Sequence, residues 1–167
     1  KPNDCGSSVG VSIVETREAL REALAEAEKW GRRVLVEKKI TGRELTVGVL
    51  DGRALPPVEI IPESGFYDYK NKYQGTTREV CPAELPEDVT ARLSALSLTA
   101  FEVLRLSGYA RFDYILDADG TPWCLEANAL PGMTPTSLLP QEAAAVGIDY
   151  PLAQLRAIDS DCGGFLR

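Results

Sequence analysis

Two long segments repeat apolar residues at helical spacing. In "TREALREALAEAEKW" the stripe is Leu20, Leu24 and Ala27, with Thr16 placed to cap the first turn. From Pro86 to Ser107 it is Val89, Leu93, Leu96, Ala100, Val103 and Leu104; Pro86 suits a first helical position and Gly108 a C-terminal cap. Shorter helices are predicted near Leu138 to Val146 and from about Pro151. Other segments favour strands. "KPNDCGSSVGVSIV" enters a short β-prone run, "RRVLVEK" reads as a buried strand, and "ELTVGVLDGRALPPVEII" reads as two strands joined at Asp51-Gly52. Hairpins mixed with helices, rather than regular strand–helix–strand units, predict an α+β fold with an antiparallel sheet and flanking helices.

"ARFDYILDADGTPWCLEAN" carries the strongest chemical signal. Asp119-Gly120 is a two-residue hairpin turn by its composition. Such a turn sets Asp113 across from Glu126 and Arg111 across from Asn128. One face then carries Arg111, Asp113, Ile115, Cys124, Glu126 and Asn128, and the other Phe112, Tyr114, Leu116, Trp123, Leu125 and Ala127. The second face is wholly apolar and belongs on a core, so the first looks into a cleft. Opposed Cβ atoms lie roughly 4.5–5.5 Å apart, and two carboxylates that close repel each other unless a cation lies between them. Asp, Glu and an Asn carbonyl offer only oxygen, the donor set of a hard divalent ion that also holds substrate phosphates. The competing reading is a solvated sheet face on which Arg111 neutralises one acid.

Other segments fit an anionic substrate less specifically. "GSSVG", from Gly6 to Gly10, is a small-residue loop that lets backbone N–H groups approach anionic oxygens, although no Walker motif follows. Lys1 precedes it. "FYDYKNKY" sets Phe66, Tyr67, Tyr69 and Tyr73 with Lys70 and Lys72 in a polar stretch over residues 62–82, a candidate lid. Glu37 and Glu44 flank "KKITGR", where a carboxylate can accept from ribose hydroxyls. In "ALPGMTPTSLLP", Gly132 permits close backbone approach, and Ser137 starts a helix whose N-terminus attracts anions. Simple turns, surface lysines and a plain Ser cap are the structural alternatives.

Composition narrows the field. Histidine is absent, which excludes His-based triads and His-ligated zinc. A net charge of -7 argues against a nucleic-acid partner, and no apolar run has the length of a membrane span. Cys5, Cys81, Cys124 and Cys162 lack metal or redox spacing and read as free thiols in a reducing compartment. The chain begins at Lys1 without an initiator Met, so a fragment of a longer protein is expected.

Taken in order, "KPNDCGSSVG", "VLVEKKITGRELTV", "FYDYKNKY", "ARFDYILDADG" and "CLEANALPGMTPTSLLP" resemble the D-alanine–D-alanine ligases of the ATP-grasp superfamily. The resemblance implies an incomplete ATP-grasp C-terminal lobe: residues 1–61 end the central subdomain, 62–82 form a mobile lid loop, and 83–167 form the C-terminal subdomain. It implies that ATP phosphorylates one D-alanine and that the amine of a second attacks the acylphosphate, as a step in peptidoglycan synthesis. It further implies two Mg²⁺ (or Mn²⁺) ions held by Asp113, Glu126 and Asn128, with Arg111 and the Gly132 N–H stabilising the oxyanion. Lys1 and Lys72 correspond to phosphate contacts, and Glu37, Lys39, Ile40 and Glu44 to adenine and ribose contacts. Ser137 and Leu138 correspond to the second substrate's carboxylate site, and Ser7 and Tyr73 to the pair closing the lid. A bacterial cytoplasmic enzyme, a homodimer when complete, is the corresponding expectation, and this stretch alone is expected to be inactive. Two departures are visible: Cys5 stands where the family often has Glu, and Lys39 where an aromatic is frequent. Another ATP-grasp carboxylate–amine ligase, a D-alanyl-D-lactate ligase and a noncatalytic Mg-nucleotide-binding fragment are the rival readings.

Overall fold

The computed structural model describes residues 1–6, 8–62 and 77–154. It divides into two compact units, one from the described residues of Lys1–Ile40 and Pro62–Arg78, the other from those of Thr41–Ile61 and Glu79–Arg167. In the first unit, helix α1 spans Arg17–Glu28, and the Thr16 hydroxyl accepts from the Ala19 N–H as an N-cap should. The "RRVLVEK" segment differs from expectation. It makes one bridge, Pro2 to Val34, flanked by Leu35 N–H to Lys1 C=O (2.8 Å) and Asn3 N–H to Arg33 C=O (2.9 Å). Leu35 and Val36 are exposed, because among the described residues only the first residues of the chain lie alongside to pair with them. The β-prone run after Gly10 forms no strand either.

Most of the second unit's residues are organised by a sheet, two strands of which end at or begin within Pro62–Arg78. Strands β1 (Gly42–Leu50), β2 (Arg53–Ala54), β3 (Val58–Pro62), β4 (Thr77–Val80), β5 (Tyr109–Asp117) and β6 (Pro122–Asn128) lie in the order β4-β3-β1-β5-β6, with β2 also pairing β1. Pairing is antiparallel where β1 meets β2, β3 and β5, and where β5 meets β6. Asp51 and Gly52 form the expected two-residue turn, both at positive φ (51° and 68°). The strand that follows is broken in two, since Pro56 and Pro57 offer no N–H to the ladder.

Alternation in β1 and β5 divides the sheet into two faces. Leu45, Val47 and Val49 of β1 and Ala110, Phe112, Tyr114 and Leu116 of β5 are buried together with Leu93 of helix α2 (Glu87–Val103). The inward stripe of α2 differs from the one read off the sequence. Leu93 and Ser97 are its buried residues, while Leu96, Val103 and Leu104 are exposed. Ser97 fits inside because its hydroxyl bonds the Leu93 carbonyl (2.9 Å) and the Tyr114 hydroxyl (2.8 Å). The helix also stops before Gly108. Arg105, at φ 54°, turns the chain, with Leu106 N–H reaching back to Phe101 C=O and Arg105 N–H to Glu102 C=O. Pro86 is the N-cap residue rather than the first helical one.

Helix α3 (Leu138–Ala145) lies on the opposite face of the sheet, at Gly48, where an added Cβ would meet Glu142 and Leu139. Its residues Leu139 and Ala143 join Leu50, Leu55 and Ala153 in a second apolar cluster. Gly147, at φ 79°, ends it, and residues 150–154 are helical again. Among the described residues no helix is long and apolar enough to cross a membrane.

Candidate active site

The polar face of the β5–β6 hairpin forms through two irregularities that offset each other. The turn is a three-residue loop, not the expected two: Asp117 and Thr121 pair across it, and Gly120 sits at φ 76°. Asp117 builds that loop, accepting from the N–H groups of Asp119 (3.0 Å) and Thr121 (2.8 Å) and from the Trp123 indole (2.8 Å). Left alone, this shift would move every β6 side chain to the other face. A bulge at Leu125 reverses it, so that Tyr114 pairs with Cys124 but Asp113 pairs with Glu126 and Arg111 with Asn128. The expected juxtaposition of the acids therefore holds, while the assignment near the turn fails: Trp123, not Cys124, stands opposite Ile115. Trp123 and Leu125 are also 42% and 46% exposed instead of buried, since β6 is an edge strand.

Three polar side chains, Arg111, Thr46 and Asn128, donate to Asp113. Arg111 donates through Nε to Oδ1 (2.8 Å) and through a terminal nitrogen to Oδ2 (2.9 Å), a bidentate pair in which each side chain keeps only 19% exposure. Thr46, its register partner on β1, donates to Oδ1 (2.8 Å). Asn128 donates through Nδ2 to Asp113 Oδ2 (3.0 Å) and to Glu126 Oε1 (3.3 Å). One amide donor thus bridges the two carboxylates and supplies the positive charge density between them. Burial pulls the Arg111 guanidinium down, but its bonds to Asp113 and the surrounding acids outweigh that and hold it above its ordinary value. Burial, and next the Asp113 charge, push the nearby Cys124 thiol up, so it is no ready nucleophile.

The donor set fits a hard divalent cation. Asp113 and Glu126 present oxygens on one sheet face within reach of a single amide, and Asn128 has an oxygen of its own. Among the described residues no three acidic or cysteine side chains gather, so any such ion relies on these two acids and Asn128. The following loop leads to α3. Ser137 is its N-cap residue, yet its hydroxyl does not cap the helix. It accepts from Thr134 N–H (3.0 Å), bonds the Thr134 hydroxyl (2.8 Å), and lies so near Gly132 that a Cβ there would stand 2.9 Å from it. The first turn of α3 is thereby left without a side-chain cap, and its N–H groups stay available to an anion. Leu138 is buried behind it.

The remaining expected positions fall in both units. Glu44 is half-buried on the same face of β1 as Thr46. In the first unit, Lys1 and Glu37 pair with each other (2.5 Å), Lys39 is exposed and Ile40 half-buried. Gly10, at φ 68°, packs so closely on Pro2 that a Cβ would lie 2.8 Å from its ring, which explains one glycine of "GSSVG" by packing. Ser7, Lys72 and Tyr73, with most of the expected lid, lie outside the described residues. Cys5, Cys81 and Cys124 are free thiols, and Cys162 also falls outside. Sequence reasoning missed Thr46 and Glu142. Thr46 is a polar residue among the apolar positions of "ELTVGVL", and its role emerges only once β1 and β5 are in register.

The antiparallel sheet, its covering helices and the acid-bearing hairpin define the C-terminal lobe of an ATP-grasp ligase. More narrowly, the chain belongs to the family described as "D-ala D-ala ligase C-terminus", whose model matches residues 1–155. It is 48% identical over 151 residues to a D-alanine--D-alanine ligase of Methylacidiphilum infernorum, covering 90% of this chain and 50% of that one. Its fold is similar to that of the Bacillus anthracis D-alanine--D-alanine ligase complexed with ATP, with a TM-score of 0.83 and 35% identity over 98% of this chain and 51% of that one. It is also similar to the VanG D-Ala:D-Ser ligase of Enterococcus faecalis, with a TM-score of 0.84 and 28% identity over 95% of this chain and 47% of that one. The chain spans about half the length of the curated relatives it matches.

Proposed function

We propose that the full-length protein joins two D-alanine molecules with conversion of ATP to ADP and phosphate, through a D-alanyl phosphate, in the cytoplasm of a bacterium and for peptidoglycan precursor synthesis. The observation that carries this reading is the pairing of Asp113 with Glu126 on one sheet face, with Arg111 fixed on Asp113 by two hydrogen bonds. A Mg²⁺ or Mn²⁺ ion held by Asp113, Glu126 and Asn128, two ions in the full reading, would neutralise the charge of the phosphates and polarise the one that is transferred.

The chain's own residues do the rest. Arg111, anchored rather than mobile, presents a fixed positive charge where the tetrahedral oxyanion develops when the second amine attacks the acylphosphate carbonyl. The Gly132 N–H is the second donor to that oxyanion. Ser137 and Leu138, at the uncapped start of α3, receive the acceptor's carboxylate, which the helix N-terminus favours electrostatically. Glu37, Lys39, Ile40 and Glu44 border the adenosine, while Lys1 and Lys72 meet the phosphates. Lys1 must exchange its Glu37 partner for phosphate when nucleotide binds. Residues 62–82 form the lid, and Ser7 and Tyr73 close it, excluding water that would hydrolyse the acylphosphate. The assignment includes a homodimeric enzyme and residues 83–167 as its C-terminal subdomain.

The VanG likeness favours one alternative, a ligase with a different acceptor such as D-serine; a D-lactate acceptor is a further variant of that reading. Phosphate release by the full-length protein distinguishes these. The expected result is ATP turnover that requires D-alanine alone, with D-alanyl-D-alanine as product. Turnover that requires D-serine or D-lactate besides D-alanine would favour the alternative, and ATP binding without turnover would leave only a nucleotide-binding module.

A further inference from the structure

One acid behind the site has surroundings that its packing does not explain. Glu142 of α3 is 0% exposed, and among the described residues its carboxyl oxygens make no well-formed hydrogen bond, only the Gly48 backbone lying close to them. Its helix neighbours Leu139 and Ala143 are core residues, so an apolar side chain would suit the position. A buried polar group without a partner is destabilising, and such cost is often tolerated where a group serves function. The carboxyl enters the sheet only because residue 48 is glycine: a Cβ there would stand 2.0 Å from Oε2. Gly48 is the register partner of Arg111, as Thr46 is of Asp113.

Charge ties Glu142 to the same place. Burial pushes its carboxyl well above the ordinary carboxylate range, while the Gly48 backbone and then the Arg111 charge pull it back. Glu142 is in turn among the acids that hold Arg111 up. On another side, burial and next the Glu142 charge push the Cys81 thiol up to about 11. The nearest cationic influence on Glu142 is thus the guanidinium assigned to the oxyanion, whose Nε and one terminal nitrogen are both committed to Asp113. In the proposed reaction Asp113 is also claimed by a cation, so Arg111 shares its main acceptor.

We propose that Glu142 is a positioning residue for Arg111, an acceptor beside Gly48 that keeps the guanidinium in place when the Asp113 carboxylate is engaged elsewhere. This rests on the functional reading above. A carboxylate and a neutral acid both offer an acceptor oxygen, so either protonation state serves.

The test uses Glu142→Met, which keeps the bulk and removes the oxygens, and Glu142→Gln, which keeps one, in the protein as its gene encodes it. Replacing a buried carboxyl that has no well-formed hydrogen bond by Met is expected to raise Tm by about 3–6 °C. The same change is expected to lower D-alanine-dependent kcat about tenfold, the scale seen for supporting residues, with KM for ATP unchanged. Gln is expected to restore most of kcat. A merely structural role would move stability and activity together, so a fall in both for Met and Gln alike overturns the proposal, as does wild-type kcat in the Met variant. An NMR arm needs no turnover. In an Asp113→Asn background the Arg111 Nε–H resonance is expected to stay sharp, and to broaden or shift when Glu142→Met is added. Identical spectra overturn the proposal whatever the activity. Absence of D-alanine turnover in the wild type would instead refute the functional reading and leave the spectra to decide this one.

Discussion

Asp113→Asn in the full-length protein is expected to lower D-alanine-dependent phosphate release by about 10³-fold, the equivalent of several kcal/mol of lost transition-state stabilisation. The fold should survive. Asp113 lies on the polar face of β5, and the core residues on either side of it, Phe112 and Tyr114, are untouched. Asn retains an oxygen for Thr46 and for one nitrogen of Arg111 but loses the charge that a cation requires. Loss of one charge-assisted contact is expected to cost about 1–3 kcal/mol of stability, lowering Tm by several degrees without unfolding the protein at 25 °C. Thermal melts beside the kinetic assay check both halves. Retained turnover would remove Asp113 from the ligand set, and a collapsed Tm would make it a structural residue.

Arg111→Lys is expected to reduce kcat by about 10²–10³-fold, the effect of deleting one donor to a developing oxyanion. The substitution conserves charge, so the expectation turns on geometry. Lysine is a point charge on a flexible stem and cannot reproduce the two parallel bonds from Nε and the terminal nitrogen to the two Asp113 oxygens. The charge would no longer be held where the oxyanion forms. KM for ATP should change little, because Arg111 acts after phosphoryl transfer in this scheme. Steady-state kinetics with ATP and D-alanine varied separately test this. A large rise in KM for ATP with unchanged kcat would reassign Arg111 to nucleotide binding.

The parts of this protein that local chemistry decides were legible in its sequence. Asp51-Gly52 supplies positive φ at both turn positions, and Thr16 supplies a cap, so both features appear where composition puts them. The pairing of Asp113 with Glu126 was legible for a partly accidental reason. Asp117 draws the chain into a three-residue loop by accepting local N–H groups, which the Asp119-Gly120 signal conceals. The bulge at Leu125 then restores the register, and no residue there announces a bulge. Where tertiary surroundings decide, the pattern misled. Val34 to Val36 look like a buried strand, but among the described residues only the first residues of the chain pair with them, and Leu96 and Val103 extend an apolar stripe that α2 turns outward. Ser97 is polar and buried because Tyr114 satisfies it. Thr46 and Glu142 reach the site only through strand register and helix placement, neither of which a single sequence encodes locally.

The central claim is that Asp113 and Glu126 share a cation, and Mn²⁺ binding reads that directly, without turnover. In the full-length protein with ADP present, EPR titration of Mn²⁺ is expected to show tight binding in the wild type, weakened by about 10–100-fold in Asp113→Asn and likewise in Glu126→Gln. Wild-type Mn²⁺ affinity in both variants would contradict the account and return this hairpin to an ordinary solvated sheet face.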